Sequence, residues 1–246
     1  MSTLFIADLH LSGERPRIIR LFRDFLKKDA RRADALYILG DLFEAWLGDD
    51  AVPPDMIDVL HDINHLTQSG VPVYVMVGNR DFLLGAEFEK MTGCRLLPDP
   101  SVVNLYGTDT LLMHGDTLCT DDVDYQAIRK QIRSPQWRQA ILARSIEERI
   151  QIACEARAES RARTREKSDD IMDVNAQAVE NAFRTHGITR LIHGHTHRPA
   201  VHKSVINGKT VTRIVLGDWY NKASVLRITA DTAELTTPDQ APPSPP

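Results

Sequence analysis

The chain reads as an α/β protein, or a layered α+β one, and three observations carry that expectation. Short apolar runs rich in β-branched residues recur at Leu4 to Ala7, Ala35 to Leu39, Val71 to Val77, Thr110 to Met113, Arg190 to Ile192 and Arg213 to Leu216, and the middle ones have the pattern of covered strands. Amphipathic stretches separate the first three runs, at Ile18 to Arg31 and Met56 to Gln68, the second closing near Gly70, which gives strand–helix–strand alternation. The third observation is size: 246 residues, 42% hydrophobic and 26% charged, suffice for a substantial core, which excludes a small disulfide-stapled or metal-nucleated fold and wholesale disorder.

From Asp121 to Lys167 the strand-like runs disappear and a helical period passes through Ile141, Leu142, Ile146, Ile150 and Ala153. Strand signals resume at Arg190. The expected organisation is therefore a single domain over residues 1–240, interrupted by a helical cap at about 121–168, with residues 241–246 of the Pro-rich ending frayed. The formal net charge of -4 argues against a nucleic-acid partner, yet Arg129 to Lys167 holds eleven basic and five acidic residues. Cys94, Cys119 and Cys154 are widely spaced and form no C-x-x-C pair, so neither a disulfide framework nor a cysteine zinc site is expected, and a reducing compartment is. MSTLFIADLH carries no basic leader, so no signal peptide is expected, and no obligate protein partner is evident.

The residues just beyond each strand are more informative. LFIADLH supplies Asp8 and His10, LYILGD Asp41, VYVMVGNRD Asn79, Arg80 and Asp81, LLMHGD His114 and Asp116, and LIHGHTH His193, His195 and His197. Oxygen and imidazole donors thus collect at strand C-termini, where open α/β sheets place ligand sites. Asp-x-His in an extended exit puts both side chains on one face, and His195-x-His197 repeats the pattern. Gly before Asp41, Asn79 and His195 permits close backbone approach to a ligand. Asp, Asn and His without Cys suit Mn²⁺, Fe²⁺ or Zn²⁺, and donors in this number suffice for two ions, the arrangement that hydrolyses phosphoric esters and anhydrides. Asp41, central in the order, is the expected bridge.

These residues resemble the calcineurin-like metallophosphoesterase superfamily, whose blocks D-x-H, G-D, G-N-H-D/E, a lone His and G-H-x-H are matched by Asp8/His10, Gly40/Asp41, Gly78/Asn79, His114 and Gly194/His195/His197. The resemblance implies a four-layered α/β/β/α sandwich. It also implies that Asp8, His10, Asp41 and His197 hold one ion and Asp41, Asn79, His114 and His195 the other. Longer segments, FIADLHL, ALYILGDLFEAWLGDD, GNRDFLLG, MHGDTLCTDD, IMDVN, LIHGHTHRPAVH and VLGDWY, resemble the lipid A branch of that superfamily. That branch implies Mn²⁺-dependent hydrolysis of an acylated UDP-sugar, UDP-2,3-bis(3-hydroxyacyl)glucosamine, by water attack at the α-phosphorus. The implied products are UMP and 2,3-diacylglucosamine 1-phosphate, lipid X. The implied location is peripheral, on the anionic cytoplasmic face of the bacterial inner membrane.

One position departs from the superfamily pattern: Arg80 stands where G-N-H-D/E has its His. An arginine is no general acid, but it clamps phosphate oxygens. Attack at the α-phosphorus expels a sugar phosphate whose second ionisation lies near about pH 6, a leaving group with little need of protonation. Arg80 and His195 are accordingly the expected catalytic residues, with Asn79 also touching substrate. In the cap, Arg157, Ser160, Thr164 and Lys167 are spaced three, four and three apart along one side of a helix, while Ile146 and Ile150 mark an apolar stripe expected to form an acyl groove. The resemblance places Asp122 with those four residues against the lipid. Asp81 and Asp116 are expected either to orient Arg80 or a histidine or to cap turns, and Trp46, Phe82 and Leu83 either to line the lipid entrance or to pack in the core.

Overall fold

The computed structural model describes residues 1–166, 171, 173–220 and 223–236. Its layers arise from side-chain alternation. In β1 (Thr3–Ile6) and β2 (Ala35–Leu39), Leu4, Ile6, Leu36 and Ile38 share one face, while Phe5, Tyr37 and Leu39 share the other. Strands apolar on both faces have to be covered on both. The first face packs on α1 (Pro16–Lys28), α2 (Ile57–Gln68) and α3 (Ala86–Thr92) through Phe22, Val59, Ile63 and Phe88. The second meets another sheet, where Leu112, Ile192 and Ile214 complete the interior. Beyond that sheet lies α7 (Ala176–His186), whose Phe183 packs with Leu111, Leu191 and Val211. The fold is an α/β/β/α sandwich, as the resemblance implies.

The first sheet runs β11 (Ala233–Thr236), β10 (Val225–Ile228), β1, β2, β3 (Val73–Met76), β4 (Arg95–Leu97), with β1 to β4 parallel. The second runs β5 (Ser101–Leu105), β6 (Thr108–Met113), β7 (Arg190–His193), β9 (Lys209–Val215), β8 (Ala200–Ile206), with β6, β7 and β9 parallel. The C-terminal ends of β1, β2 and β3 meet those of β6 and β7: the His195 amide donates to the Asp8 carboxylate, and His114 Nδ1 to Leu39 O. All six expected runs are strands, with bounds shifted by a few residues. The β8–β9 hairpin is longer than the sequence reading expects. Its first strand is exposed along most of its length and so lacks an apolar run, and its turn is Asn207–Gly208, both with positive φ, the pair a tight two-residue hairpin requires.

Between β6 and α7 the chain forms α4 (Val123–Ile132), α5 (Pro135–Leu142) and α6 (Ile146–Glu166). Arginines fasten these helices to the sandwich, Arg138 and Arg149 among them. Arg138 donates to the carbonyls of Phe82, Leu83 and Leu84, and Arg149, 4% exposed, grips both oxygens of Asp50 and the carbonyl of Leu47. Ile141 is buried in the same cluster that fills the α1–α3 layer. The Pro-rich ending lies outside the described residues. Among the described residues, no helix is long and apolar enough to cross a membrane.

Candidate active site

At the strand ends the backbone turns sharply. Asp8, His10, Asp41, His195 and His197 have φ of 55, 49, 51, 69 and 56°, making up five of the seven described non-glycine residues with positive φ. A left-handed L-residue costs about 1–2 kcal/mol, and such strain collects at functional sites. This corrects the expectation of an extended exit: Asp8 and His10, and likewise His195 and His197, converge because the chain curls back over the strand ends. The loops press closely together. A Cβ at Gly78 would stand 2.0 Å from Asp41 Oδ1, and one at Gly194 would stand 2.4 Å from Asp8 Oδ2, so only glycine fits at either position.

Seven predicted donors come together there. On one side His10 Nε2 faces His197 Nε2 at 3.3 Å, with Asp8 Oδ1 3.5 Å from His197 Nε2. On the other, Asn79 Oδ1 lies 3.0 Å from His114 Nε2 and 3.1 Å from His195 Nδ1. Asp41 Oδ2 stands 3.9 Å from both His10 Nε2 and His114 Nε2, a central position between the two groups. The backbone orients the donors: Leu39 O accepts from His114 Nδ1 at 3.0 Å, which turns Nε2 inwards, and the amides of Arg80 and His195 donate to Asp41 and Asp8.

The charges press the same way. Burial pushes Asp8 up, but His197, His114 and His10 hold its carboxyl at about 2. Burial pushes His114 down, yet Asp41, Asp116 and Asp8 raise it to about 9. Burial and the neighbouring His114 lower His195 to about 4. The carboxylates around His114 thus favour positive charge there, while burial and His114 keep His195 neutral. Asp8 with His10 and His197, and Asp8 with Asp41 and His114, each place ligand atoms within 4.8 Å of one another. Asp8 Oδ1 is buried without a hydrogen-bond partner, a costly state that coordination relieves. The residues present therefore fit divalent metal.

Groups outside the predicted set hold this cluster in place. Glu44 Oε2 lies 3.3 Å from His10 Nδ1, Asp218 Oδ2 lies 3.6 Å from His197 Nδ1, and Tyr220 stacks on His10 at 5.6 Å. Carboxylates behind metal-binding histidines fix ring orientation. Gly217–Asp218 after β9 repeats the Gly40–Asp41 pattern after β2, a signal the sequence carried unused. Asp81 caps turns, accepting from the amides of Leu42, Phe43 and Gly78, and burial together with Asp41 raises it to about 6. Asp116, fully buried, instead binds Tyr125 Oη at 2.7 Å and Arg129 Nε at 2.6 Å. His193 is buried, its Nδ1 donating to Gly194 O at 2.9 Å and its Nε2 accepting from Arg213 Nη1 at 3.1 Å.

A cavity of about 300 Å³ runs from Asn79 and Arg80 under the cap. Ile128, Ile132, Trp137, Ile141, Ile152 and Ala156 make it apolar, while Asp122, Tyr125, Arg157 and Ser160 add polar groups. Trp46, Phe82 and Leu83 line it and also pack in the core. Arg157 bonds to the Glu44 carboxylate and carbonyl, and Asp122 caps α4 by accepting from the Tyr125 amide. Thr164 falls on α6, but its side chain, like all of Lys167, lies outside what is described. The expected apolar stripe is corrected: Ile146 and Ile150 are 38% and 47% exposed, and Ile152, Ala153 and Ala156 of the same helix turn to the cavity. Arg149, fastened to Asp50, fixes the rotation of α6 and sends Ile150 outward.

The sequence matches the calcineurin-like phosphoesterase family over residues 1–199. It is 52% identical over 242 residues to "UDP-2,3-diacylglucosamine hydrolase" of Xanthomonas oryzae pv. oryzae, covering 96% of this chain and 98% of the relative. The protein of that name from Xanthomonas campestris pv. campestris is 50% identical over 239 residues, with 94% and 96% covered. The one from Serratia proteamaculans is 49% identical over 235, with 96% and 98% covered. With the family matched across the whole strand-end cluster and about half of all positions shared along nearly the full chain, the protein belongs to the calcineurin-like phosphoesterase family.

Proposed function

We propose that the protein hydrolyses the diphosphate of UDP-2,3-bis(3-hydroxyacyl)glucosamine at the α-phosphorus, giving UMP and 2,3-diacylglucosamine 1-phosphate, a step of lipid A biosynthesis. The observation that carries the reading is the junction of a buried donor cluster with an apolar cavity through Asn79 and Arg80. A diphosphate bearing an acylated sugar has that same order of parts. The relatives' shared name supports the substrate class.

Asp8, His10, Asp41 and His197 would hold one divalent ion, and Asp41, Asn79, His114 and His195 a second, with Mn²⁺ the expected species. Such a pair supplies Lewis acidity and an activated water to phosphoryl chemistry. The chain's own groups do the rest. Arg80 neutralises phosphate oxygens as charge builds on them, and His195 is held in place by the Asp8 carboxylate, which accepts from its amide. Arg157, Ser160, Thr164 and Lys167, with Asp122, would grip the glucosamine and its phosphate, and the isoleucines take the acyl chains. Excluding water along the cavity strengthens these polar contacts.

The cap also presents Ile146 and Ile150 outward within the basic Arg129–Lys167 segment, which supports peripheral attachment to an anionic membrane. Sedimentation with anionic vesicles at low salt tests this. Failure of the protein to co-sediment would remove stable attachment from the reading. The catalytic proposal is tested by incubating the protein with the acylated UDP-sugar, UDP-glucose and bis-p-nitrophenyl phosphate, before and after chelation and Mn²⁺ readdition. UMP should be released selectively from the acylated sugar in the metal-loaded protein. Equal turnover of UDP-glucose would leave a general phosphodiesterase instead.

A further inference from the structure

The loop Gly78–Asp81 carries Asn79 and Arg80, and it is held from two directions. From below, Asp81 Oδ1 accepts from the Gly78 amide at 2.7 Å, and Asp41 Oδ1 accepts from the Arg80 amide at 2.8 Å. From above, Arg133, the residue that ends α4, donates through Nη2 to the Gly78 carbonyl at 2.7 Å. Gly78 is thus held through its amide by the sandwich and through its carbonyl by the cap. We propose that Arg133 is a positioning residue: it sets the Gly78–Asp81 loop against Asp41, so that Asn79 and Arg80 stand at the phosphate only while α4 is docked.

The loop carbonyl, not its looser ion pair with Asp116, is the tighter of the bonds Arg133 makes. Its side chain is 18% exposed, its nearest carboxylate oxygen, Asp116 Oδ2, is 3.8 Å away, and Asp116 is already engaged by Arg129 and Tyr125. Its Nε is buried without a partner, and its guanidinium lies over the Phe82 ring at 5.3 Å. The closest polar partner is therefore the loop carbonyl. The clearance beneath that carbonyl is small, since Gly78 abuts Asp41 too tightly for a Cβ. A small rise of Gly78 moves Asn79 away from His114 and His195 and loosens the amide that holds Asp41. Misplacement of about 1 Å at reacting groups costs on the order of 10²-fold in rate.

Arg138 provides the comparison. It makes the same kind of bond from α5 to the carbonyls of Phe82, Leu83 and Leu84, past the loop, and so fastens the cap without touching Gly78. The proposal rests on the hydrolase reading for its kinetic measurements only. Hydrogen exchange at the Gly78 and Arg80 amides needs no substrate.

In Arg133→Met, which keeps the packing on Phe82 but loses the donor, exchange at those amides should rise about tenfold. Turnover of both the acylated UDP-sugar and bis-p-nitrophenyl phosphate should fall about tenfold, with KM for the acylated sugar nearly unchanged. Arg133→Lys should restore most of both. Arg138→Met should raise KM for the acylated sugar while leaving the small diester and the Gly78–Arg80 amides as they are. If Arg133→Met does not fold, Arg133→Gln, whose amide is too short to reach Gly78, gives the same readings. Unchanged exchange at Gly78 and Arg80, or an effect of Arg133→Met confined to KM, overturns the proposal. If the unaltered protein cleaves neither substrate, the hydrolase reading fails and exchange alone decides the role of Arg133.

Discussion

The strand ends and the helical cap face each other across one cavity but position their side chains by different means. At the strand ends, strained left-handed backbone aims the donors, and backbone amides and carbonyls lock them. In the cap, long arginines reach down to carbonyls of the sandwich, and the helices otherwise expose much of their surface. The first design tolerates almost no displacement and suits chemistry. The second leaves side chains adaptable and suits a flexible, apolar ligand.

The sharpest test of that division is at Asp41. Asp41→Ala should reduce hydrolysis by on the order of 10³-fold, because it removes the oxygen central to both donor groups, while circular dichroism stays unchanged. A loss of only a few-fold would mean that the two groups work independently. Chelation should match this loss and be reversed by Mn²⁺.

The next tests belong to the cap. Arg149→Ala strands the Leu47 carbonyl and frees Asp50; it should cost about 2 kcal/mol in thermal or denaturant unfolding and raise KM for the acylated sugar. Ile152→Asp should raise that KM about tenfold and spare the small diester, because a carboxylate would enter the apolar wall. Ile150→Asp, on the outward face, should leave both substrates unaffected. Equal effects at 150 and 152 would show that the helix rotates in use.

The smallest effect concerns the cysteines. Burial pushes the thiols of Cys94 and Cys119 up to about 12, so neither should react with a maleimide at neutral pH, whereas exposed Cys154 on the cap should. Labelling of Cys94 or Cys119 would reveal opening of the sandwich.

The same division explains what the sequence made legible. Strand exits were readable because a covered strand announces itself by an apolar run and its donor comes within a few residues, as at Leu39–Asp41 or Met113–His114. Glu44 was not, because its value comes from His10, more than thirty residues away, and Asp218 carries the Gly-Asp signal of a strand exit but takes its role from His197, about twenty residues away. The cap's apolar face was misread because helical period locates a stripe only relative to its own helix. Arg149 and its partners at Leu47 and Asp50 decide which way the stripe points. β8 escaped notice for the opposite reason: its side chains face solvent and leave no apolar pattern.

The left-handed turns have a consequence for how this protein can change over generations. Glycine and asparagine relax such a backbone most readily, and at positions 8, 10, 41, 195 and 197 either would replace a proposed donor with a weaker one or none. Heat-resistant variants and active variants are thus drawn apart at the same five codons. A library sorted for thermal survival alone would accumulate glycine and asparagine there and fall silent, whereas one sorted for turnover would keep the strain.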